Sequence, residues 1–179
     1  MKHGEETALT LEGDDLCDTI YRREHPRILR LCRLLLLNQQ EAEEAAQDVF
    51  VRYVQTRATG TEILCWEAWL TRVAVNACRD RRRSAWWKWW RGSATIGQEP
   101  ELPAEGGTPE ELLLSRERQA YLWRLFGALP PRQREVFILR RLEGLSTDDT
   151  ARLLGLSSGS IKRHLFHALR RLQKVVGES

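Results

Sequence analysis

Between Ser160 and Lys174 the charged side chains are Lys162, Arg163, Arg170, Arg171 and Lys174, and no acid interrupts them. Ser158, Ser160, His164 and His167 stand in or beside the same stretch. Cationic side chains on a helix suit phosphate oxygens, and Arg or Lys near a helix start can pair with guanine O6 and N7 in a major groove. A second basic run, Arg79, Arg81, Arg82 and Arg83, follows Asn76, Trp66 and Trp69. Away from both lies an acidic group, Glu41, Glu43, Glu44 and Asp48. Catalytic constellations are missing from the pattern. The four histidines (His3, His25, His164 and His167) are scattered, and the last two lack a third ligand at zinc-site spacing, so no metal is expected. Cys17, Cys32, Cys65 and Cys78 form no CxxC pair and read as small buried thiols in a reducing compartment. Neither a catalytic residue nor a cofactor is expected; the chemistry on offer is recognition of charged partners.

The basic stretch needs a scaffold, and the residues before it describe one. Ser146 caps a short helix, with Asp148 and Asp149 in its first turn and Leu153 and Leu154 near its end. Gly155 closes that helix, and Ser157 or Ser158 caps the next, which runs to about Val175. Ala151 is small enough to let the two helices cross, and Leu154, Leu156 and Ile161 fill the angle between them. The pattern is helix-turn-helix, whose second helix enters the major groove. In that frame Ser160, Lys162, Arg163, His164 and His167 lie nearest base edges, and Arg170 and Arg171 face phosphates. The competing reading is a solvated basic face on an ordinary helical pair. Upstream, Thr108, Pro109, Glu110 and Glu111 start a helix that runs to about Leu129. Pro130 and Pro131 separate it from a helix over Arg132 to about Leu142, ended by Gly144.

The first half has its own helices. Apolar residues recur at helical spacing from Leu16 to about Leu37, and Pro26 predicts a kink or two helices there. Asn38 and Gln39 make a turn. Glu41 to about Arg57 is the second helix, with its acids where the helix dipole is positive. Trp66 to about Arg83 is the third, with Trp66, Trp69, Leu70, Val73, Ala74 and Ala77 on one stripe. Trp86, Trp87, Trp89 and Trp90 follow; they suit stacking on single-stranded nucleic acid, packing of the linker, cover for the lobe's core, or a protein partner. From Gly92 to Pro109 periodicity gives way to Gly, Pro, Ser and Glu. A run of about 18 such residues is too long for a loop inside one compact domain. The reading is all-α: two small helical domains over 16–91 and 110–176, joined by a flexible linker over 92–109 and preceded by a frayed acidic tail over 1–15.

Composition bounds the rest. A chain of 179 residues with 42% hydrophobic and 30% charged residues holds one ordinary or two small domains. The net charge of +3 does not by itself demand nucleic acid, so the placement of the charges carries the reading. The longest nearly apolar run, Leu34 to Leu37, is far below the ~20 residues of a membrane span. Glu5, Glu6, Glu12, Asp14 and Asp15 speak against a secretory leader, and the cytoplasm is expected.

Two stretches carry a resemblance. Leu129-Pro-Pro-Arg-Gln-Arg-Glu-Val-Phe, Glu143-Gly-Leu-Ser and Ala151-Arg-Leu-Leu-Gly-Leu-Ser-Ser-Gly-Ser-Ile-Lys-Arg resemble domain 4 of bacterial sigma factors, and more narrowly the extracytoplasmic-function (ECF) class. Ala42-Glu-Glu-Ala-Ala-Gln-Asp-Val-Phe-Val-Arg and Ala68-Trp-Leu-Thr-Arg-Val-Ala-Val-Asn-Ala-Cys-Arg-Asp-Arg-Arg-Arg resemble domain 2. Both come in the family's order, without the domain 3 that this class lacks. The resemblance implies a subunit that directs core RNA polymerase to promoters and has no catalysis of its own. Glu43, Glu44, Gln47, Asp48, Phe50 and Arg52 would dock on the β′ clamp helices, Phe50 as the apolar anchor. The loop Thr59 to Cys65, with Trp66, Trp69, Arg72, Asn76, Arg79, Arg81, Arg82 and Arg83, would capture the opened −10 element. Ser158, Ser160, Lys162, Arg163, His164, His167, Arg170 and Arg171 would read the −35 element, and this domain would also touch the β flap. Lys and His stand where family members often carry Arg or Ser, which leaves the −35 preference open. An anti-sigma factor is the expected regulator, and no membrane insertion is expected.

Each assignment has a plainer counterpart. Without the resemblance, the acids of the second helix fit dipole and solubility charge, and at least one of Trp66 and Trp69 fits core packing. The main alternative function is a stand-alone helix-turn-helix regulator of LuxR type with a helical N-terminal domain, binding paired half-sites as a dimer. An enzyme would need a ligand cluster or paired acids with His, which the histidines do not supply.

Overall fold

The computed structural model describes residues 3–90, 117 and 120–177, with side chains over 17–84, 117 and 120–177. Among these residues all regular structure is helical. The chain forms two units, Met1–Cys32 with Gln40–Thr95 and Arg33–Gln39 with Ile96–Ser179. The expected linker over 92–109, the Thr108–Glu111 helix start and the side chains of Trp86, Trp87, Trp89 and Trp90 lie outside the described residues.

α1 spans His3–Leu36, of which Arg33–Leu36 belongs to the second unit; α2 is Gln39–Ala58 and α3 Trp66–Trp90, both in the first unit but for Gln39. Three expectations change. The segment read as a frayed tail is helical from His3 onward. Pro26 sits inside an unbroken α1. The alternative of two helices is thereby excluded, and the exposure of Pro26 leaves the carbonyl it cannot serve open to water. The basic run does not end α3, which continues through Trp90. Ile20, Ile28 and Leu31 from α1, Ala42, Ala46, Val49 and Tyr53 from α2, and Leu70, Ala74 and Val75 from α3 are buried. The alanines matter because a small side chain lets helix backbones approach closely. Arg27 ties α1 to α3: Nε donates to Glu24 Oε2 at 2.6 Å and Nη1 to Thr71 Oγ1 at 3.1 Å. Glu24 is only 5% exposed, so this partner offsets the cost of burying its charge.

Cys32 and Cys78 are buried, Cys17 is half-buried and Cys65 is exposed. The reading of all four as buried thiols therefore holds for two. A hydrogen bond to Cys32, then burial, pushes the Cys78 thiol well above the ordinary range.

In the second unit residues 120–127 are helical (α4), α5 is Pro131–Phe137, α6 is Thr147–Leu154 and α7 is Ser158–Gly177. The helix expected over Arg132–Leu142 changes character midway: Ile138–Leu142 is a π-helical turn. Glu143 N–H donates to Ile138 O at 3.0 Å, five residues back, and Gly144 then takes φ +70°. Leu129, Val136, Ile138, Leu139, Leu154 and Ile161 form the core, with Phe126 edge-on to Phe137 at 5.9 Å. Glu135 is fully buried, and Arg132 Nη1 donates to it at 3.0 Å. α7 packs on α5 and α6.

Candidate nucleic-acid and partner interfaces

The α6–α7 pair is built by its caps. Ser146 Oγ accepts from Asp149 N–H at 3.0 Å, and its own hydroxyl donates to Asp149 Oδ2 at 2.5 Å. This is a reciprocal cap with Asp at the third helical position. The Ser146 hydroxyl, with further help from Arg152, holds the Asp149 carboxyl below the usual carboxylate range. Gly155 closes α6 at φ +65°. Ser157 starts α7, its Oγ accepting from Ser160 N–H at 3.2 Å, which resolves the two serines left open by the sequence. Ala151, Leu154 and Ile161 are buried, as the pattern requires, whereas Leu156, also expected to fill the angle, is only half-buried in the turn.

On α7 the proposed readers divide. Lys162, Arg163, His167, Arg170 and Arg171 are exposed, and His164 is half-buried. Ser158 and Ser160 are half-buried and engaged locally: Ser158 Oγ donates to Asp148 Oδ1 at 2.7 Å, and Ser157 Oγ donates to Ser160 Oγ at 3.0 Å. They fix where α7 begins. Arg171 Nη1 reaches Ala128 O at 3.5 Å. Phe166, passed over in the sequence, is 56% exposed in the middle of this face. The Arg170 guanidinium lies 5.8 Å from the Phe166 ring centre and the His167 ring 5.6 Å from it. Its spacing of four from Lys162 and from Arg170 was a usable signal.

α3 sorts its residues by face. Arg72, Asn76 and Arg83 are exposed at spacings of four and seven, so they share one stripe, with half-buried Arg79 beside it. Trp66 and Trp69 are both half-buried. Trp69 packs edge-on against Tyr53 at 6.2 Å, and Arg23 lies 5.3 Å from the Trp66 ring centre. Arg82 is half-buried. Arg81 does not join the exposed stripe. Its guanidinium turns to α2, 2.8 Å from Glu44, 2.5 Å from Asp48 and 3.6 Å from Glu41. Burial opposes the charge, but the bonds to Asp48 and Glu44 hold the guanidinium above its ordinary range.

The loop before α3 borders a cavity of about 390 Å³ lined by Tyr53, Arg57, Thr61, Glu62, Ile63 and Trp66. Gly60, at φ +72°, turns the chain there. Thr59 Oγ1 donates to Thr56 O at 2.7 Å and shares a hydrogen bond with Thr61 Oγ1 at 3.0 Å. A hydrogen bond to Tyr53 raises the Arg57 guanidinium above its ordinary range. Leu64, at 90% exposure, stands out from the loop. The sequence placed this loop but not the contribution of Tyr53 and Arg57, which comes from the preceding helix.

On α2, Glu44, Gln47, Asp48 and Arg52 are exposed and Glu43 is half-buried. Phe50 is not the exposed anchor it was expected to be. It is 6% exposed and packs edge-on to Tyr21 at 4.8 Å, with His25 at 5.7 Å. Val51 and Val54 are the apolar side chains that α2 shows to solvent, at 54% and 53%. The stripe Ala42, Ala46, Val49, Tyr53 already places Phe50 inward and Val51 outward. No helix among the described residues is long and apolar enough to cross a membrane.

Known proteins share both units. Residues 20–88 match the family Sigma-70 region 2, and residues 113–172 match Sigma-70, region 4. The RNA polymerase sigma-E factor of Streptomyces coelicolor is 30% identical over 154 residues, covering 86% of this chain and 81% of the relative. The ECF RNA polymerase sigma factor SigM of Mycobacterium tuberculosis is 29% identical over 160 residues, covering 89% and 76%. The fold recurs in the sigma factor RpoE of Bartonella quintana, solved in complex with the anti-sigma factor NepR. The TM-score is 0.69 at 21% identity, over 89% of this chain and 96% of that one. It recurs too in CnrH, solved with the cytosolic domain of CnrY, at TM-score 0.66 and 19% identity, over 93% and 90%. The chain belongs to the ECF class of the sigma-70 family of RNA polymerase sigma factors, which are transcription initiation factors. A stand-alone LuxR-like regulator is not favoured, because the first unit matches sigma-70 region 2.

Proposed function

We propose that this chain directs core RNA polymerase to its promoters through three faces on two functional regions, 16–91 and 110–176, joined by 92–109. Glu43, Glu44, Gln47, Asp48 and Arg52 meet the β′ clamp helices, with Val51 and Val54 as apolar anchors in place of Phe50. The exposed stripe Arg72, Asn76 and Arg83, with Arg79 and Arg82 beside it, tracks the non-template strand at −10. The cavity beside Trp66 takes an unstacked base, and Trp69 supports Tyr53 in its wall. Lys162, Arg163, His164 and His167, with Phe166 among them, face the −35 base edges, while Arg170 and Arg171 hold phosphates. The β flap is the second polymerase contact of this region. The chain works in the cytoplasm, performs no catalysis itself, and is held inactive by an anti-sigma factor; a chain of the same fold was solved with one.

The observation that carries this reading is the separation of charge within single elements: a carboxylate face on α2, an acid-free cationic face on α7, and an outer side of α3 on which Arg72, Arg79 and Arg83 outnumber the single exposed acid, Asp80. Two variants test it. Lys162→Ala in the reconstituted holoenzyme should weaken promoter binding by about 1–3 kcal/mol if Lys162 reads a base. Asn76→Ala should leave the closed complex formed while lowering permanganate reactivity of unpaired thymines at −10. The opposite pattern, with Asn76→Ala abolishing closed-complex binding and Lys162→Ala affecting only melting, contradicts the assignment of the two regions.

A further inference from the structure

We propose that Arg81 is a positioning residue for the polymerase-docking face of α2, in place of the DNA contact that its membership of a basic run suggested. The run Arg79–Arg83 covers more than one helical turn, so its members point in different directions. Arg83 faces solvent, whereas the Arg81 side chain is 22% exposed and reaches back to α2. Its planar fork spans two carboxylates at once: Nη1 donates to Glu44 Oε2 at 2.8 Å and Nη2 to Asp48 Oδ2 at 2.5 Å. Glu41 Oε2 stands 3.6 Å from Nη1. A guanidinium is suited to this, because its donors are fixed in one plane.

The acids are held, not hidden. Glu44 and Asp48 keep side-chain exposures of 49% and 53% while bound to Arg81. Each has one oxygen on Arg81 and lone pairs still turned outward. The other Glu44 oxygen, Oε1, accepts from Gln40 Nε2 at 3.3 Å, so Glu44 is fixed from both sides. Three carboxylates on one stripe of a helix repel one another. One arginine among them lowers that repulsion and leaves the cluster with a formal charge of −2. It also removes rotamer freedom that Glu44 and Asp48 would otherwise lose on meeting a basic partner. Arg81 thereby links α3, the DNA-facing helix, to the orientation of α2.

The inference rests on the reading that α2 docks on core polymerase, and the test separates the two. The affinity of the full-length chain for core enzyme is measured by fluorescence anisotropy for wild type, Arg81→Met, Arg81→Lys, Glu44→Gln/Asp48→Asn, and that pair combined with Arg81→Met. Neutralising the acids should weaken binding. Arg81→Met should weaken it roughly tenfold, the order expected when two side chains must be ordered on binding. Arg81→Lys should recover part of the loss, and Arg81→Met should add nothing once the acids are gone. A tenfold loss that persists in the acid-free background marks a merely structural role and overturns the inference. So does an Arg81→Met chain that binds core normally while its preassembled holoenzyme loses promoter DNA. If the acid-free variant binds core like wild type, the docking reading itself fails and the inference falls with it.

Discussion

Asp149 shows how much one side chain can report. The Ser146 hydroxyl, then Arg152, keeps its carboxyl below the usual range, so folding favours the ionised form. A carboxyl depressed on folding contributes in full above its unfolded value, about 3.9, and loses that contribution as pH falls through its folded value. The melting-temperature difference between wild type and Asp149→Asn should therefore be constant between about pH 5 and 8 and shrink below about pH 4. A difference that grows on acidification would place the stabilisation elsewhere. The cysteines give a second reading at this scale. Cys65 is exposed, while Cys32 and Cys78 are buried free thiols, and a hydrogen bond to Cys32 together with burial suppresses the thiolate at Cys78. A maleimide should label Cys65 rapidly in the native protein, Cys17 more slowly, and Cys32 and Cys78 only after unfolding. Rapid native labelling of Cys78 would contradict the packing of α1 on α3.

Among the elements, the turn between α6 and α7 is the most exactly specified. A Cβ added at Gly155 meets nothing within 4 Å, so the obstacle to substitution is the φ of +65° alone. Gly155→Ala should destabilise the second unit by about 1–2 kcal/mol, and Ser146→Ala by about 1 kcal/mol through loss of the cap, both read by denaturant titration. In the first unit, Arg27→Ala leaves Glu24 short of a partner and should cost about 2 kcal/mol. These features were legible because caps and turn glycines are local: Ser146 and Gly155 announce themselves within four residues, whereas the cap of α7 stayed open between Ser157 and Ser158 because both hydroxyls stand at the helix start. The stripe on α2 was legible too, and it should have placed Phe50 inward. The π-helical turn at Ile138–Leu142 was not, because a one-residue change in hydrogen-bond register leaves no compositional trace. Of the two outcomes expected at Pro26, the break into two helices did not occur, since propensity marks the cost of a proline but not the packing that outweighs it. Arg81 could not be assigned from its neighbours, because a basic run on a helix points in several directions and only the fold says which carboxylates lie across from it.

For the whole molecule, promoter recognition depends on several weak faces used together. Joining two regions makes each contact raise the effective concentration of the other, so promoter affinity should exceed that of either region alone. The five cations of α7 make that affinity depend on salt. Arg170→Ala should weaken promoter binding similarly across promoter sequences and reduce the slope of log affinity against log salt by about 1, whereas Lys162→Ala should change the preference among −35 sequences. The most direct measurement is run-off transcription by purified bacterial core polymerase on a pool of promoters from the source genome, with and without the chain. Transcripts with defined start sites should appear only when the chain is present and disappear with Asn76→Ala. An absence of transcripts, from a chain that fails to bind core yet shifts duplex DNA alone, would contradict the assignment of these surfaces to a promoter-specificity subunit.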